Sequence, residues 1–123
     1  MLAEAARDGA VFVAEAGGVF AGFAAGWVVQ DEYIEETADS NRFGYISDVC
    51  VLPAFRGRRI VAHLLEALEV RLSLYGIKRI RLSALAANKA ARTSYERLGY
   101  VAYEIVYEKA APKRSPDAGS ADN

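Results

Sequence analysis

The residues suited to chemistry gather in two short runs. The first is DVCVLPAFRGRRIVA, residues 48–62, where an apolar, strand-like stretch passes Pro53 and Gly57 and enters a helix-like one. The first amides of a helix have no intrahelical partners, and the helix dipole adds partial positive charge there. The main-chain N–H groups of Gly57, Arg58, Arg59, Ile60 and Val61 are therefore a cradle for an anion. Arg56, Arg58 and Arg59 flank it. Guanidinium groups hold phosphate oxygens in pairs, which favours a diphosphate-bearing ligand over a neutral one. The same stretch also reads as a solvated basic helix start. The second run is NKAARTSYERLGY, residues 88–100. Asn88 begins a helix there, and Tyr95 lies about two turns further on nearly the same face. A phenol with an ordinary pKa of about 10 is protonated at neutral pH and can hand its proton to a departing thiolate. The other reading of Tyr95 is a core side chain whose hydroxyl reaches the surface.

Positioning these runs needs a sheet and two helices. Residues 2–7 form an alanine-rich helical turn stopped by Asp8 and Gly9, and Gly17-Gly18 joins VFVAEA to VFAGFAAGWVV as an antiparallel hairpin. Residues 30–42 are a polar, acidic loop, residues 43–52 a largely apolar strand ended by Pro53. Beyond Gly57, Ile60, Leu64, Leu68 and Leu72 recur every four positions, with Val61 and Leu65 beside them, as the apolar stripe of a helix closed by Gly76. Ile77, Ile80, Leu82 and Leu85 mark the next strand, Asn88 caps a second helix, and Gly99 ends it before the alternating strand YVAYEIVYEK, residues 100–109. Strand, helix, strand implies a parallel pair after an antiparallel hairpin, so the expected sheet is mixed α/β with flanking helices. Residues 1–110 are expected to be one domain, and residues 111–123, polar with proline and glycine, a disordered tail.

A chain of 123 residues, 53% hydrophobic and 25% charged, buries one core and leaves little room for a second domain. Its formal net charge of −1 gives no bulk attraction to nucleic acid or to membranes, and no stretch is apolar for long enough to span a bilayer. One cysteine, Cys50, makes no internal disulfide, so a cytoplasmic protein is expected. The single histidine, His63, has no clustered nitrogen or sulfur ligands nearby, so no metal is expected.

These two runs, in this order and at this separation, resemble the GNAT superfamily of acyl-CoA-dependent N-acetyltransferases. The resemblance extends over residues 11–109. Val49-Cys50-Val51, Pro53 and Phe55-Arg56-Gly57 look like the family's pantetheine-pairing strand and pyrophosphate loop, and Asn88, Ala91, Tyr95 and Gly99-Tyr100 look like its final helix. The resemblance implies acetyl-CoA as cosubstrate. Backbone groups of Val49 and Val51 then pair with the pantetheine arm like an added strand, and an amide there polarises the thioester carbonyl. The amides of residues 57–62 grip the pyrophosphate, Asn88 bonds the pantetheine arm, and Tyr95 protonates the leaving thiolate. Transfer is direct, within a ternary complex, so Cys50 needs no catalytic role and reads as a small buried hydrophobe.

Two departures from the family pattern stand out. Arg59 and Val61 occupy positions that are usually small, which implies weakened but real cofactor binding. The elements in front of the hairpin are short, which leaves a surface for a second copy, so a homodimer is expected; the alternative is a fragment. The general base is open between Asp48, Glu104 and a water chain, with Asp48 preferred. The acidic residues Asp31, Glu32, Glu35, Glu36 and Asp39 would attract a cationic acceptor such as a polyamine or a basic peptide, or simply form a solvated loop. Against an N-acetyltransferase acting on a small or peptidyl amine stands a catalytically silent CoA-binding or interaction module. A nucleic-acid binder lacks the wider basic face it would need.

Overall fold

The structure, a computed structural model, describes residues 8–30 and 41–113. Strand β1 (Gly9–Ala16) and strand β2 (Val19–Gln30) form the expected antiparallel hairpin. The chain turns at Gly17 and Gly18, whose φ angles of 60° and 81° are accessible to glycine at no steric cost. Strand β3 (Arg42–Val51) runs antiparallel to β2, and strand β4 (Ile80–Leu82) pairs with β3 in parallel, in the order β1-β2-β3-β4. Between β3 and β4 the chain makes a 3-10 turn (Pro53–Phe55) and helix α1 (Ile60–Ser73); helix α2 (Lys89–Arg97) follows β4.

The four-residue stripe read from the sequence is what α1 buries. Leu64, Leu65, Leu68 and Leu72 lie against Ala10, Ala24, Ile46 and Val51 in a single core cluster. Each leucine contributes about 1.5–3 kcal/mol through burial. Gly26 lets the helix sit this close, since a Cβ there would stand 2.7 Å from the Tyr45 carbonyl oxygen and 3.2 Å from Leu68. Tyr95 and Tyr100 pack on the same cluster, so α2 lies on the α1 side of the sheet.

The opposite face follows from the registers. Trp27 opposes Tyr45, Val29 opposes Phe43, Ala25 opposes Asp48 and Phe23 opposes Cys50. One irregularity governs it: β2 and β3 slip register between Ala25 and Gly26, so Ser47 is an extra residue on β3. A bulge of this kind inverts the alternation. Before it Gly44 and Ile46 face α1; after it Val49 and Val51 do, while Asp48 and Cys50 turn to the other face. Cys50 is accordingly exposed, which corrects its reading as a buried hydrophobe.

The strand expected over residues 100–109 does not form. An alternating stretch becomes a strand only beside a partner that takes its hydrogen bonds. β4 is three residues long, shorter than the pattern through Leu85 suggested, and Leu85 is 80% exposed. No described strand runs beside residues 101–109. Tyr103 finds Arg81 instead, whose guanidinium carbon lies 4.2 Å from the Tyr103 ring centre and 4.0 Å from that of Phe43. The expected turn over residues 2–7, the acidic residues 31–39 and most of the expected tail lie outside the described residues.

Candidate active site

The parallel ladder joins only residues 44–46 of β3 to residues 80–82 of β4. From Ser47 to Val51 the strand continues with no β4 residue beside it, so the two strands part. Which groups face the opening follows from alternation. The Leu52 amide donates to the Ala21 carbonyl oxygen at 2.8 Å, toward β2. Neighbouring residues of a strand point their main-chain groups in opposite directions, so those of Val51 and Val49 point away from β2 and into the opening. The Arg56 side chain agrees, since its Nε donates to the Val51 carbonyl oxygen at 3.4 Å. Without the bulge at Ser47, the outward groups would belong to Asp48 and Cys50.

Just beyond Val51 the chain forms the turn into α1. The Phe55 amide donates to the Leu52 carbonyl oxygen and the Arg56 amide to that of Pro53, tightening the 3-10 turn. Gly57 follows with φ 81°, and then Arg59 with φ 61°. Arg59 is the N-cap of α1, and no side chain caps that helix. The first helical bond runs from the His63 amide to the Arg59 carbonyl oxygen at 3.1 Å. The amides of Ile60, Val61 and Ala62 precede it and are the orphan donors of a helix start. Helix α2 differs, because Asn88 Oδ1 accepts from the Ala91 amide at 3.1 Å. Of the two starts, that of α1 is the one suited to an anion.

The three arginines do not act alike. Arg56 reaches back to the strand, and Arg58 lies over the Phe55 ring with its guanidinium carbon 5.3 Å from the ring centre. Arg59 adopts the left-handed conformation that a glycine would take without strain, the structural form of the departure noted in the sequence. Val61 is different: its side chain packs against the core cluster.

Tyr95 joins Val49, Ile60 and Val61 in packing against the cluster that contains Val51. The strand, the turn and the second helix thus meet on one core. Burial raises the Tyr95 pKa above the ordinary phenol value, so at neutral pH it holds its proton. Its ring meets that of Tyr100 edge-on at 6.2 Å. The Tyr100 hydroxyl donates to the Glu69 carboxylate on α1, and burial, then that bond and the carboxylate charge, push its pKa strongly upward. This pair ties the segment just beyond α2 to α1, a contact the sequence did not announce. Asn88 spends its carbonyl oxygen on the cap, so contact with a ligand falls to its Nδ2. Asp48, exposed on the other face, accepts from Ser47 Oγ at 2.8 Å, and the same hydroxyl reaches the Ala25 carbonyl oxygen at 3.3 Å. Glu104 lies in the exposed stretch after α2. Among the described residues, no three of His, Cys, Asp and Glu gather as a metal-binding group, and no helix is long and apolar enough to cross a membrane.

Comparison with known proteins bears on this arrangement. The model of the acetyltransferase (GNAT) family matches residues 2–100. No curated protein matches the chain. Among solved structures, the aminoglycoside N-acetyltransferase AAC(6')-Iy in complex with CoA superposes with a TM-score of 0.73 at 26% identity, over 85% of this chain and 68% of that one. The same enzyme with the bisubstrate analogue CoA-S-monomethyl-acetylneamine gives a TM-score of 0.71 at 26% identity, over 85% and 71%. The apo aminoglycoside 6'-N-acetyltransferase of Acinetobacter haemolyticus gives 0.69 at 18% identity, over 87% and 73%, a likeness of fold alone. A family match over most of the chain, on a mixed sheet whose parallel strands part beside an uncapped helix start, identifies the protein as a member of the acetyltransferase (GNAT) family.

Proposed function

We propose that this acetyltransferase moves an acetyl group from acetyl-CoA to a primary amine of a small molecule or peptide, by direct attack in a ternary complex. The observation that carries the reading is the parting of β3 and β4 beside the uncapped start of α1. The pantetheine arm adds to β3 as a strand, bonding the main-chain groups of Val49 and Val51, and an amide there polarises the thioester carbonyl. The pyrophosphate rests on the amides of residues 57–62, with Arg56, Arg58 and Arg59 supplying charge. Asn88 bonds the arm through Nδ2.

An amine with a lysine-like pKa of about 10.4 arrives protonated and must lose a proton before attack. Asp48, held by Ser47, accepts that proton directly or through water. The nitrogen then bonds to the carbonyl carbon, the C–S bond breaks, and the sulfur takes the Tyr95 hydroxyl proton, which solvent replaces. The aminoglycoside enzymes among the structural neighbours make an amino sugar one acceptor to try. The same reading takes the protein as cytoplasmic and as a homodimer; the dimer is supported by Val101, Val106 and Tyr107, which are 85%, 84% and 87% exposed and suited to cover by a second copy.

The test is CoA thiol release with a panel of amines, for the parent and for Tyr95→Phe. Turnover cut by roughly a hundredfold or more in the variant supports the enzyme. Tight CoA binding with no acceptor turned over would instead establish a silent CoA-binding module.

A further inference from the structure

We infer that Trp27 and Tyr45 form the platform for the acceptor: a primary amine carried on a ring with a flat apolar face lies against these two side chains, its nitrogen toward Asp48. This rests on the reading that β3 presents the thioester at Val49. Trp27 and Tyr45 are register partners on the sheet face opposite α1 and α2, and their rings meet edge-on at 6.3 Å and 65°. Trp27 belongs to β2, an interior strand, and is still 40% exposed. Asp48 opposes Ala25, two residues along β2 from Trp27 and on the same face. That is about 7 Å of strand, spanned by a single methyl group.

Charge orients the occupant. Arg81 is the β4 partner of Tyr45 and lies between the rings of Phe43 and Tyr103, so one end of the platform carries a fixed cation. Asp48 lies toward the other. An ammonium group is drawn to Asp48, leaving an uncharged ring over the aromatic pair. A linear diamine has no ring to lie on that pair, so it fits this surface less well.

Trp27 is the chain's one tryptophan, so its emission reports on the platform directly. The probes are benzylamine, glucose bearing an amine on its exocyclic carbon, and cadaverine. A saturable change in emission with either ring amine, absent with cadaverine, is expected, and the ring amine that responds identifies the source. In steady-state kinetics, Trp27→Ala should raise the KM for that ring amine about fivefold to tenfold, with kcat and the acetyl-CoA KM unchanged. Trp27→Phe should restore most of the loss. Equal losses for ring and linear amines, or no response of Trp27 to a ring amine that the parent acetylates, would overturn the inference. If the parent acetylates nothing, the catalytic reading fails by itself, and the emission titration still decides: a ring-selective response keeps the platform, and its absence removes it.

Discussion

Arg59→Gly is expected to raise the melting temperature of the protein. Arg59 has φ 61° and ψ 20°, and no side-chain bond caps the helix it begins. A residue with a Cβ pays about 1–2 kcal/mol for that conformation. Glycine removes the strain but adds about 0.5–1 kcal/mol of backbone entropy to the unfolded chain. The net gain is about 0.5–1 kcal/mol, a rise of roughly 2–6 °C for a domain of this size. Arg59→Ala separates backbone from charge, because it loses the guanidinium and keeps the strain; it should melt no higher than the parent. Binding offers a second readout. Glycine lets the main chain approach a pyrophosphate more closely, while loss of the cation weakens the long-range attraction. Calorimetry with acetyl-CoA at about 0.5 M salt, where that attraction is largely screened, should rank glycine tighter than both alanine and the parent. If Arg59→Gly melts no higher than Arg59→Ala, no strain is stored at this position. If it binds acetyl-CoA no better than the parent in high salt, crowding of the cradle is the wrong idea.

Four further outcomes can be checked. Asn88→Ala removes the cap on the Ala91 amide and should cost about 1 kcal/mol, read by urea denaturation. Leu68→Ala, at a fully buried position, should cost about 2–5 kcal/mol in the same assay and test whether α1 carries the core. Tyr95 and Tyr100 both have phenol pKa values raised by folding, so the folded state holds these protons more tightly than the unfolded chain. Their contribution is complete below about pH 10 and is lost as pH rises further, so thermal melts should fall in strong alkali, and less steeply in Tyr100→Phe. Asp48→Asn should lower kcat/KM for amines with little change in acetyl-CoA affinity, measured by thiol release beside equilibrium binding; an unchanged kcat/KM would pass the base role to Glu104 or to water.

Local signals sufficed where one stretch of chain settles its own conformation. The Gly17-Gly18 turn, the four-residue leucine stripe of α1, the Asn88 cap and the end of β3 before Pro53 all stand where the sequence put them, because a positive φ, a helical period, a side-chain cap and a missing N–H act over a few residues. So did the order of strand, turn and helix that places Arg56 beside Val51. Features that depend on partners distant in the chain were decided by the tertiary structure. The bulge at Ser47 chooses which face Asp48 and Cys50 occupy and which amides meet the opening, and its trace in the sequence, the three-residue step from Ile46 to Val49, breaks an alternation that otherwise holds. Residues 100–109 have a strand's pattern and no strand, since no described strand lies beside them to complete a ladder. The left-handed Arg59, the inward turn of Val61, the Tyr100–Glu69 bond and the Trp27–Tyr45 pair also arise only once the sheet and helices are packed. Pattern along a chain sets what each segment can do, and contacts between segments select among those possibilities.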